Sequence, residues 1–179
     1  TAKIVVGGDT VDPSTLGVYV ITYNVTDAAD NKAAQATRKV TVSDTTAPAI
    51  ALKGDAEVRV EAGTAYVDGG ATATDVFEGD LTARLTTDNP ADPAKVGEYT
   101  VTYRVSDTAG NEGVATRKVL VSDTTAPSLV LAGEAAVTHQ GGTAYTDAGT
   151  VANDSFEGDL ASKVVVTGAV DPDKLGEYT

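Results

Sequence analysis

A six-residue segment occurs twice in the chain, and its spacing sets the size of the folding unit. Residues 43–48 read Ser-Asp-Thr-Thr-Ala-Pro, and residues 122–127 repeat them without change. Matching Asp44 to Asp123 gives a period of 79 residues, the difference between 123 and 44. This period exceeds that of a solenoid repeat, roughly 20–50 residues, and is close to the size of a small domain. The sequence therefore predicts a tandem array of separate domains.

The same spacing predicts one complete unit between two partial ones. A Gly-Val-Tyr or Gly-Glu-Tyr triplet recurs at residues 17–19, 97–99 and 176–178. We expect residues 1–43 to be the C-terminal part of one repeat, 44–122 a complete repeat, and 123–179 the N-terminal part of the next. The partial units should lack strands that a complete unit has.

A unit of this size has little core and needs added support. It buries only a little over ~60% of the surface that its unfolded chain exposes. The chain has no cysteine, so a disulfide cannot supply the support. A metal ion or contact with neighbouring repeats is left to do so.

The charge balance argues against two classes of partner. The chain has 13 basic and 26 acidic residues, for a net charge of −13, whereas nucleic acids and anionic lipids are bound through Lys and Arg. No segment approaches the ~20 apolar residues of a membrane span, and the start does not resemble a signal peptide. We therefore expect no nucleic-acid partner and no direct membrane insertion, and an acidic surface favours cations.

Alternating polar and apolar residues predict an all-β fold. In residues 98–106 the alternation places Tyr99, Val101, Tyr103 and Val105 on the core side. It resumes in residues 115–121, which predicts a hairpin whose turn has Gly110 at positive φ, with Asp30 at that position in the first copy. Shorter β-like runs lie at residues 49–52, 57–60, 70–74 and 81–85.

This pattern of short strands is typical of an antiparallel β-sandwich of immunoglobulin type. Six or seven such runs separated by Gly, Asp and Pro are expected in each repeat. Tyr99 follows a turn and begins a strand, which suits a tyrosine corner. The chain should therefore be a tandem series of immunoglobulin-like antiparallel β-sandwiches.

Several motifs of the complete repeat carry a family resemblance. They are residues 44–48 (Asp-Thr-Thr-Ala-Pro), 66–71, 78–81 (Glu-Gly-Asp-Leu), 97–103, 105–111 and 116–119. They resemble the bacterial immunoglobulin-like repeat that occurs in tandem in large surface and secreted proteins and in a pesticidal crystal protein. Glu78 and Glu157 depart from the pattern, because the family commonly has Asp there. The resemblance implies an extracellular spacer with an architectural role.

The sequence offers little support for an enzyme. The single histidine, His139, stands where the complete repeat has Val60, so one repeat carries it and its neighbour does not. There is no cysteine, no glycine-rich phosphate loop and no nucleophile elbow. We therefore predict that the chain is not catalytic.

Acidic residues at the linker predict a calcium site. In an immunoglobulin-type sandwich the chain enters at the end that also carries the loop between the second and third strands and the final hairpin loop. This would bring the linker residue close to two acidic loops whose oxygens suit calcium. The candidate ligands are Asp44, Asp75, Asp80, Asp107 and Asn111, with Asp123, Asp154 and Asp159 at the next linker.

Turn chemistry is the competing interpretation of the same residues. Asp, Asn and Gly are common turn formers whose side chains bond nearby backbone N–H groups. Asp27, Asp30 and Asn31 keep the hairpin-loop pattern in the first copy, although that copy has no linker before it. Both interpretations remain open at this point.

Three functions are compatible with the sequence. The leading hypothesis is a spacer or stalk of a long extracellular bacterial surface protein, an adhesin or fibre, whose partners are neighbouring repeats. A second is a carbohydrate-binding module of a secreted polysaccharide-degrading enzyme, for which only Phe77 and Phe156 could stack on sugar rings. A third is a filament in which the partial repeats of different copies complete each other by strand exchange.

Overall fold

The computed structural model describes residues 3–178, and nearly all of its regular structure is β. The strands of the first part are β1 (Ile4–Gly8), β2 (Gly17–Val25) and β3 (Ala36–Val42). Those of the central repeat are β4 (Ala49–Leu52), β5 (Glu57–Glu61), β6 (Ala71–Asp75), β7 (Gly79–Asp80), β8 (Thr86–Asp88), β9 (Gly97–Ser106) and β10 (Glu112–Ser122). The last part has β11 (Ser128–Leu131), β12 (Thr150–Asp154) and β13 (Gly158–Asp159). The predicted all-β fold is confirmed.

The chain forms two compact units, and each consists of several separate segments. The first unit contains the residues up to Ala56 together with Asp68–Asn89 and Val101–Arg117. The second contains Glu57–Val67, Pro90–Thr100 and the residues from Lys118 onward.

In the first unit, two antiparallel three-stranded sheets form, in the orders β1-β2-β3 and β4-β6-β7. A small core gathers Ala73 of β6, Leu81 and Val105 of β9, all buried. Ile50 and Leu85 pack against it. In the second unit, β11, β12 and β13 pair antiparallel.

A four-stranded sheet has the order β5-β10-β9-β8. Its β8–β9 pair is antiparallel, whereas β5 runs parallel to the end of β10 and matches Glu61 with Ser122. The alternation predicted for β9 is confirmed: Val101, Tyr103 and Val105 are buried, and Tyr99 is half-buried. Hydrophobic burial on one face therefore sets the register of this strand.

Two local predictions are confirmed in the turns. Gly110 has φ 90° and Asp30 has φ 63° at the same hairpin position, where the left-handed conformation favours Gly and tolerates Asp. The hydroxyl of Tyr99 donates a hydrogen bond to the carbonyl of Lys95, at 2.9 Å. This tyrosine corner recurs at Tyr19 and Tyr178.

The strand predicted at residues 81–85 is wrong. Thr82–Arg84 form one turn of 3₁₀ helix, closed by a hydrogen bond from the Arg84 N–H to the Leu81 carbonyl at 2.8 Å. Leu81 and Leu85, at the two ends of this turn, both reach the core, as they would in a strand, where residues four apart share a face. The apolar spacing alone therefore could not tell these structures apart. Ala161–Lys163 form the same turn in the last part.

Arg117 of β10 is a buried cation that links distant parts of the first unit. It is 1% exposed. Its guanidinium forms an ion pair with Asp68 and donates to the Tyr103 hydroxyl at 2.9 Å. Further hydrogen bonds reach the backbone carbonyls of Lys53, Asp55 and Gly70.

The sequence carried a signal for this burial. Arg117 is in phase with Val119 and Val121, which are fully buried, so strand periodicity assigns it to the inner face. The first copy has the same contact between an arginine and a tyrosine ring. The Cζ of Arg38 lies 5.9 Å from the ring centroid of Tyr23, and that of Arg117 lies 5.7 Å from the ring centroid of Tyr103. The arginine–tyrosine contact is therefore a repeated feature.

We expect Arg117→Ala to destabilise the central repeat by about 3 kcal/mol or more, because it leaves the carboxylate of Asp68 without its buried partner. The matched control is Arg59→Ala, whose side chain is 72% exposed and pairs with Glu57 at the surface. Its cost should stay below about 1 kcal/mol. Urea unfolding checks both values, and equal effects of the two variants would contradict the role assigned to Arg117.

Candidate metal centre

Three of the predicted ligands converge at the start of the central repeat. Asp44 precedes β4, Asp75 ends β6, and Asp107 directly follows β9. Each offers a carboxylate oxygen, and these oxygens all lie within 4.8 Å of one another. Asp75 and Asp107 are only 7% and 5% exposed, and Asp44 is half-buried. The residues belong to the first compact unit.

One oxygen of Asp75 is explained by local turn chemistry, and the other is not. Its Oδ1 accepts hydrogen bonds from the N–H groups of Phe77 at 2.7 Å and Glu78 at 2.9 Å. Its Oδ2 is buried and, in the described part of the chain, has no hydrogen-bond partner. Buried polar atoms nearly always have a partner. The partner of this oxygen is therefore to be sought outside residues 3–178, in a water molecule or an ion.

Like Asp75, Asp44 has one carboxylate oxygen with a local hydrogen bond and one without a partner among the described residues. Its Oδ1 accepts a hydrogen bond from the Thr46 N–H at 3.1 Å. Its Oδ2 is buried without a partner among the residues that the structure describes. A few residues further on, the linker packs closely on β10, because a side chain at Gly113 would collide with the Pro48 carbonyl. The linker carboxylate is thus held at this position by the packing of the chain that follows it.

Asp107 is held by the hairpin loop. Its Oδ1 accepts the Asn111 N–H at 2.8 Å, and the Asn111 side-chain amide donates to Oδ2 at 2.7 Å. Burial raises the pKa of Asp107, but hydrogen bonds from Asn111 and from backbone amides outweigh it and lower the pKa below its ordinary value. The Asn111 amide also donates to the Asp44 carbonyl, at 3.4 Å. Asn111 therefore joins the loop to the linker.

The hairpin-loop contacts do not by themselves require a metal. In the first copy, Asn31 bonds both oxygens of Asp27 at 2.8 Å and 2.9 Å, in the same arrangement. Asp27 is exposed. Turn chemistry thus accounts for the Asp107–Asn111 pair, whereas it does not account for the buried Oδ2 atoms of Asp44 and Asp75.

Glu78 fixes the spacing between the two acidic loops. Its Oε1 accepts hydrogen bonds from the N–H and the hydroxyl of Thr108, the residue after Asp107. Its Oε2 pairs with Arg84 at 2.7 Å. The Thr108 hydroxyl and N–H, with a smaller contribution from Arg84, lower the pKa of Glu78 from its ordinary value. The role of Glu78 was open from the sequence, and the structure shows that its hydrogen bonds to Thr108 position the loop of Asp107.

The donor set of the convergent group suits a hard cation. All of its donors are carboxylate oxygens, one from each of Asp44, Asp75 and Asp107. Calcium takes about 6–8 oxygen ligands and accepts bidentate carboxylates, whereas zinc and copper prefer nitrogen and sulfur. The residues present therefore fit calcium.

Two other predicted ligands lie outside the convergent group. The Oδ1 of Asp80 accepts the Thr82 N–H at 2.9 Å, and the Oδ1 of Asp159 accepts the Ala161 N–H at 2.8 Å. Both aspartates are exposed, and each begins a 3₁₀ turn. Their contacts are those of turn formers, and a ligand role for them stays a prediction.

The next linker repeats part of the arrangement. Asp123 accepts the Thr125 N–H at 3.2 Å, and Asp154 accepts the N–H groups of Phe156 and Glu157. Burial raises the pKa of Asp123, and the nearby carboxylates of Asp154 and Glu61 raise it further. Among the residues described, Asp44, Asp75 and Asp107 form the group of three close ligand atoms.

His139 is not a member of the convergent group and has local contacts. Its Nε2 is 3.0 Å from the carbonyl oxygen of Thr143, and its ring meets that of Tyr145 edge-on with centroids 5.3 Å apart. The residue is exposed and belongs to the second unit. These contacts are local and give the ring a structural setting.

Comparison with known proteins identifies related sequences over most of the chain. The sequence model of the family described as "Bacterial surface protein, Ig-like domain" matches residues 1–42, 50–121 and 129–179. Hyalin of Strongylocentrotus purpuratus is 40% identical over an alignment 126 residues long, which covers 64% of this chain and 10% of hyalin. The chain thus spans about a tenth of the length of this relative.

Solved structures with similar parts come from bacteria. The lipoprotein BT2262 of Bacteroides thetaiotaomicron is 26% identical, with a TM-score of 0.40 over 44% of this chain and 39% of that one. The CBM51-2 and INT domains of Clostridium perfringens ZmpB, in complex with GlcNAc, are 28% identical, with a TM-score of 0.35 over 47% and 17%. In residues 3–178 no helix has the length and apolar character needed to cross a membrane.

Asp44→Asn should change the stability of the central repeat in opposite directions with and without calcium. In excess chelator the variant should unfold at a temperature roughly 4–8 °C higher, equal to about 1 kcal/mol in a domain of this size. The reason is that the new amide removes one charge and can donate to the orphan Oδ2 of Asp75. In excess calcium the variant should be less stable than the parent, because a ligand is lost.

The matched control is Asp88→Asn, at an exposed position of β8, which should shift the melting temperature by under about 2 °C in both conditions. Thermal unfolding followed by circular dichroism measures all four values. A shift of the same sign in both conditions for Asp44→Asn would contradict a cation role for this carboxylate.

Proposed function

The chain belongs to the family of bacterial surface proteins with Ig-like domains, and on that premise we propose that it is a stretch of spacer repeats in a long extracellular surface protein, such as an adhesin stalk or surface fibre. Its partners are the neighbouring repeats of the same polypeptide and, in a fibre, other copies of the chain. Its task is mechanical, namely to set the reach of a binding or catalytic domain located elsewhere, and not to catalyse a reaction.

The observation that carries the detailed proposal is the pair of buried carboxylate oxygens at the linker. Asp44 and Asp75 each have a buried Oδ2 without a hydrogen-bond partner in the described part of the chain, and one carboxylate oxygen of each lies within 4.8 Å of an oxygen of Asp107. Calcium bound by these three residues would neutralise the buried charge, and the side-chain oxygen of Asn111 is a further candidate ligand. The ion would tie the linker to both acidic loops of the repeat that it enters.

A calcium-tied linker suits a spacer for a physical reason. A flexible linker lets successive repeats reorient, so the end-to-end distance of an array grows slowly with the number of repeats. Fixing residues 44–48 to the repeat removes that freedom. The linker of Asp123, with Asp154, is the second site of the same kind in this proposal.

Carbohydrate binding has weaker support. A sugar-binding face needs exposed aromatic rings that can stack on the ligand. Phe77 is 42% exposed, but Phe156, at the same loop position, is half-buried. A single ring at that position in the central repeat gives a sugar little to stack on.

Calcium should raise the melting temperature of the chain by roughly 10 °C or more when the ion is at about 100 times its dissociation constant, since that excess adds ~2.7 kcal/mol to stability. Asp75→Asn should remove most of this rise, because Asp75 Oδ2 is one of the orphan oxygens. Asp88→Asn should keep it. Thermal unfolding in calcium and in chelator gives the comparison, with magnesium as a second ion.

An unchanged melting temperature in calcium would defeat the cation part of the proposal and leave a passive spacer. A shift produced by GlcNAc and not by calcium, and lost in Phe77→Ala, would instead favour the carbohydrate-binding function.

A further inference from the structure

The end of β5 contacts the linker that leads to the next repeat. Glu61 is the last residue of β5, and β5 runs parallel to β10, which ends at Ser122 just before that linker. The Glu61 side chain therefore lies beside residues 123–125, although more than 60 residues separate them in sequence. All of these residues belong to the second compact unit.

Both oxygens of Glu61 are occupied by linker threonines. Oε1 accepts the N–H groups of Thr124 at 2.9 Å and Thr125 at 3.1 Å, and also the Thr125 hydroxyl at 2.8 Å. Oε2 accepts the Thr124 hydroxyl at 2.6 Å. These hydrogen bonds, led by that of the Thr124 hydroxyl, lower the pKa of Glu61 to about 2. Hydrogen bonds to an ionised acceptor are roughly twice as strong as neutral ones.

A second contact joins the same two repeats. Phe156, in the acidic loop of the following repeat, lies over Gly63 in the turn after β5, with its Cδ2 3.6 Å from where a Cβ of Gly63 would stand. The turn is itself held by a hydrogen bond from the Gly63 N–H to the Pro93 carbonyl at 2.9 Å. Phe156 is half-buried here, whereas its counterpart Phe77 is 42% exposed.

We propose that Glu61 and Phe156 form a joint between successive repeats, in which the Glu61 carboxylate holds the Thr124–Thr125 backbone and Phe156 seats on the turn at Gly63. The joint works without a metal ion, because four protein donors already occupy the Glu61 oxygens. It rests on the proposed spacer function and deepens it. The calcium site fixes a linker to the repeat that follows, and this joint fixes the linker to the repeat that precedes.

The joint also gives a reason for the Thr-Thr pair inside the repeated linker. Residues 45–46 and 124–125 are both Thr-Thr, and each Thr at 124–125 supplies an N–H and a hydroxyl to the same carboxylate. In the following repeat, Gln140 stands where Glu61 does, 79 residues further on. Its amide has a single acceptor oxygen and no charge, so it would make a weaker joint.

Amide hydrogen exchange at Thr124 and Thr125, measured by NMR in excess chelator, tests the joint in the intact chain. Both amides should be protected, and Glu61→Ala should speed the exchange of Thr124 at least tenfold while the amides of Val119 and Val121 in β10 stay protected. Thr125 should respond less, because Asp123 Oδ1 also accepts its N–H. Glu61→Gln should give an intermediate rate. Phe156→Ala should speed the exchange by a smaller factor, since it removes the packing and leaves the carboxylate.

The matched control is Glu57→Ala, in the same strand, whose carboxylate pairs with Arg59 at the surface; it should leave Thr124 and Thr125 unchanged. Unprotected amides in the parent chain, or equal exchange in Glu61→Ala, would overturn the joint. Protection that appears only after calcium is added would also overturn it while keeping the calcium proposal. Protection in chelator, together with a melting temperature that calcium does not change, would support the joint and contradict the calcium proposal.

Discussion

Burying carboxylate oxygens in a small β-repeat has a free-energy cost that some positive charge or donor must offset. At the start of the central repeat, Asp44 and Asp75 bury an oxygen without a hydrogen-bond partner in the described part of the chain. Arg84, in the 3₁₀ turn after the first acidic loop, pairs with Glu78. In the function proposed above, a divalent cation would supply the missing charge and would join the linker to two loops that the sequence places far apart.

The central repeat handles its buried charges in two different ways. In the body of the first unit, Arg117 is paired with Asp68 and bonded to three backbone carbonyls, so the protein itself satisfies the ion. At the linker, the protein supplies carboxylates and leaves the charge unbalanced. The calcium proposal therefore predicts that the body folds without the ion and that the order of the linker depends on it.

The sequence alone was sufficient to predict the repeat, most of the strands and the identity of the acidic loops. Period-two alternation fixed the inner face of β9, and the Asp-Thr-Ala-Gly-Asn turn fixed the hairpin, because both signals are local. The convergence of Asp44, Asp75 and Asp107 followed from the expected topology. The 3₁₀ turn at Thr82–Arg84 did not, since Leu81 and Leu85 satisfy either conformation.

Long-range polar contacts could not be predicted from the sequence, because they depend on which strands pair in the fold. Glu61 reads as one more outward strand residue, and its bonds to Thr124 and Thr125 depend on the parallel pairing of β5 with β10. Sandwich patterns predict antiparallel neighbours, so this pairing has no local signal. Arg117 is the intermediate case: its phase in β10 indicated burial, but its partner Asp68 lies 49 residues away. Two charged residues so far apart in sequence become partners only when the fold brings them together.

A crystal structure of the chain grown in calcium tests the central claim most directly. It should show an anomalous peak among Asp44, Asp75 and Asp107, with oxygen distances of roughly 2.3–2.6 Å and with Oδ2 of both Asp44 and Asp75 among the ligands. A structure in which those two oxygens hydrogen-bond to ordered water or to the protein, with no peak at that place, would contradict it.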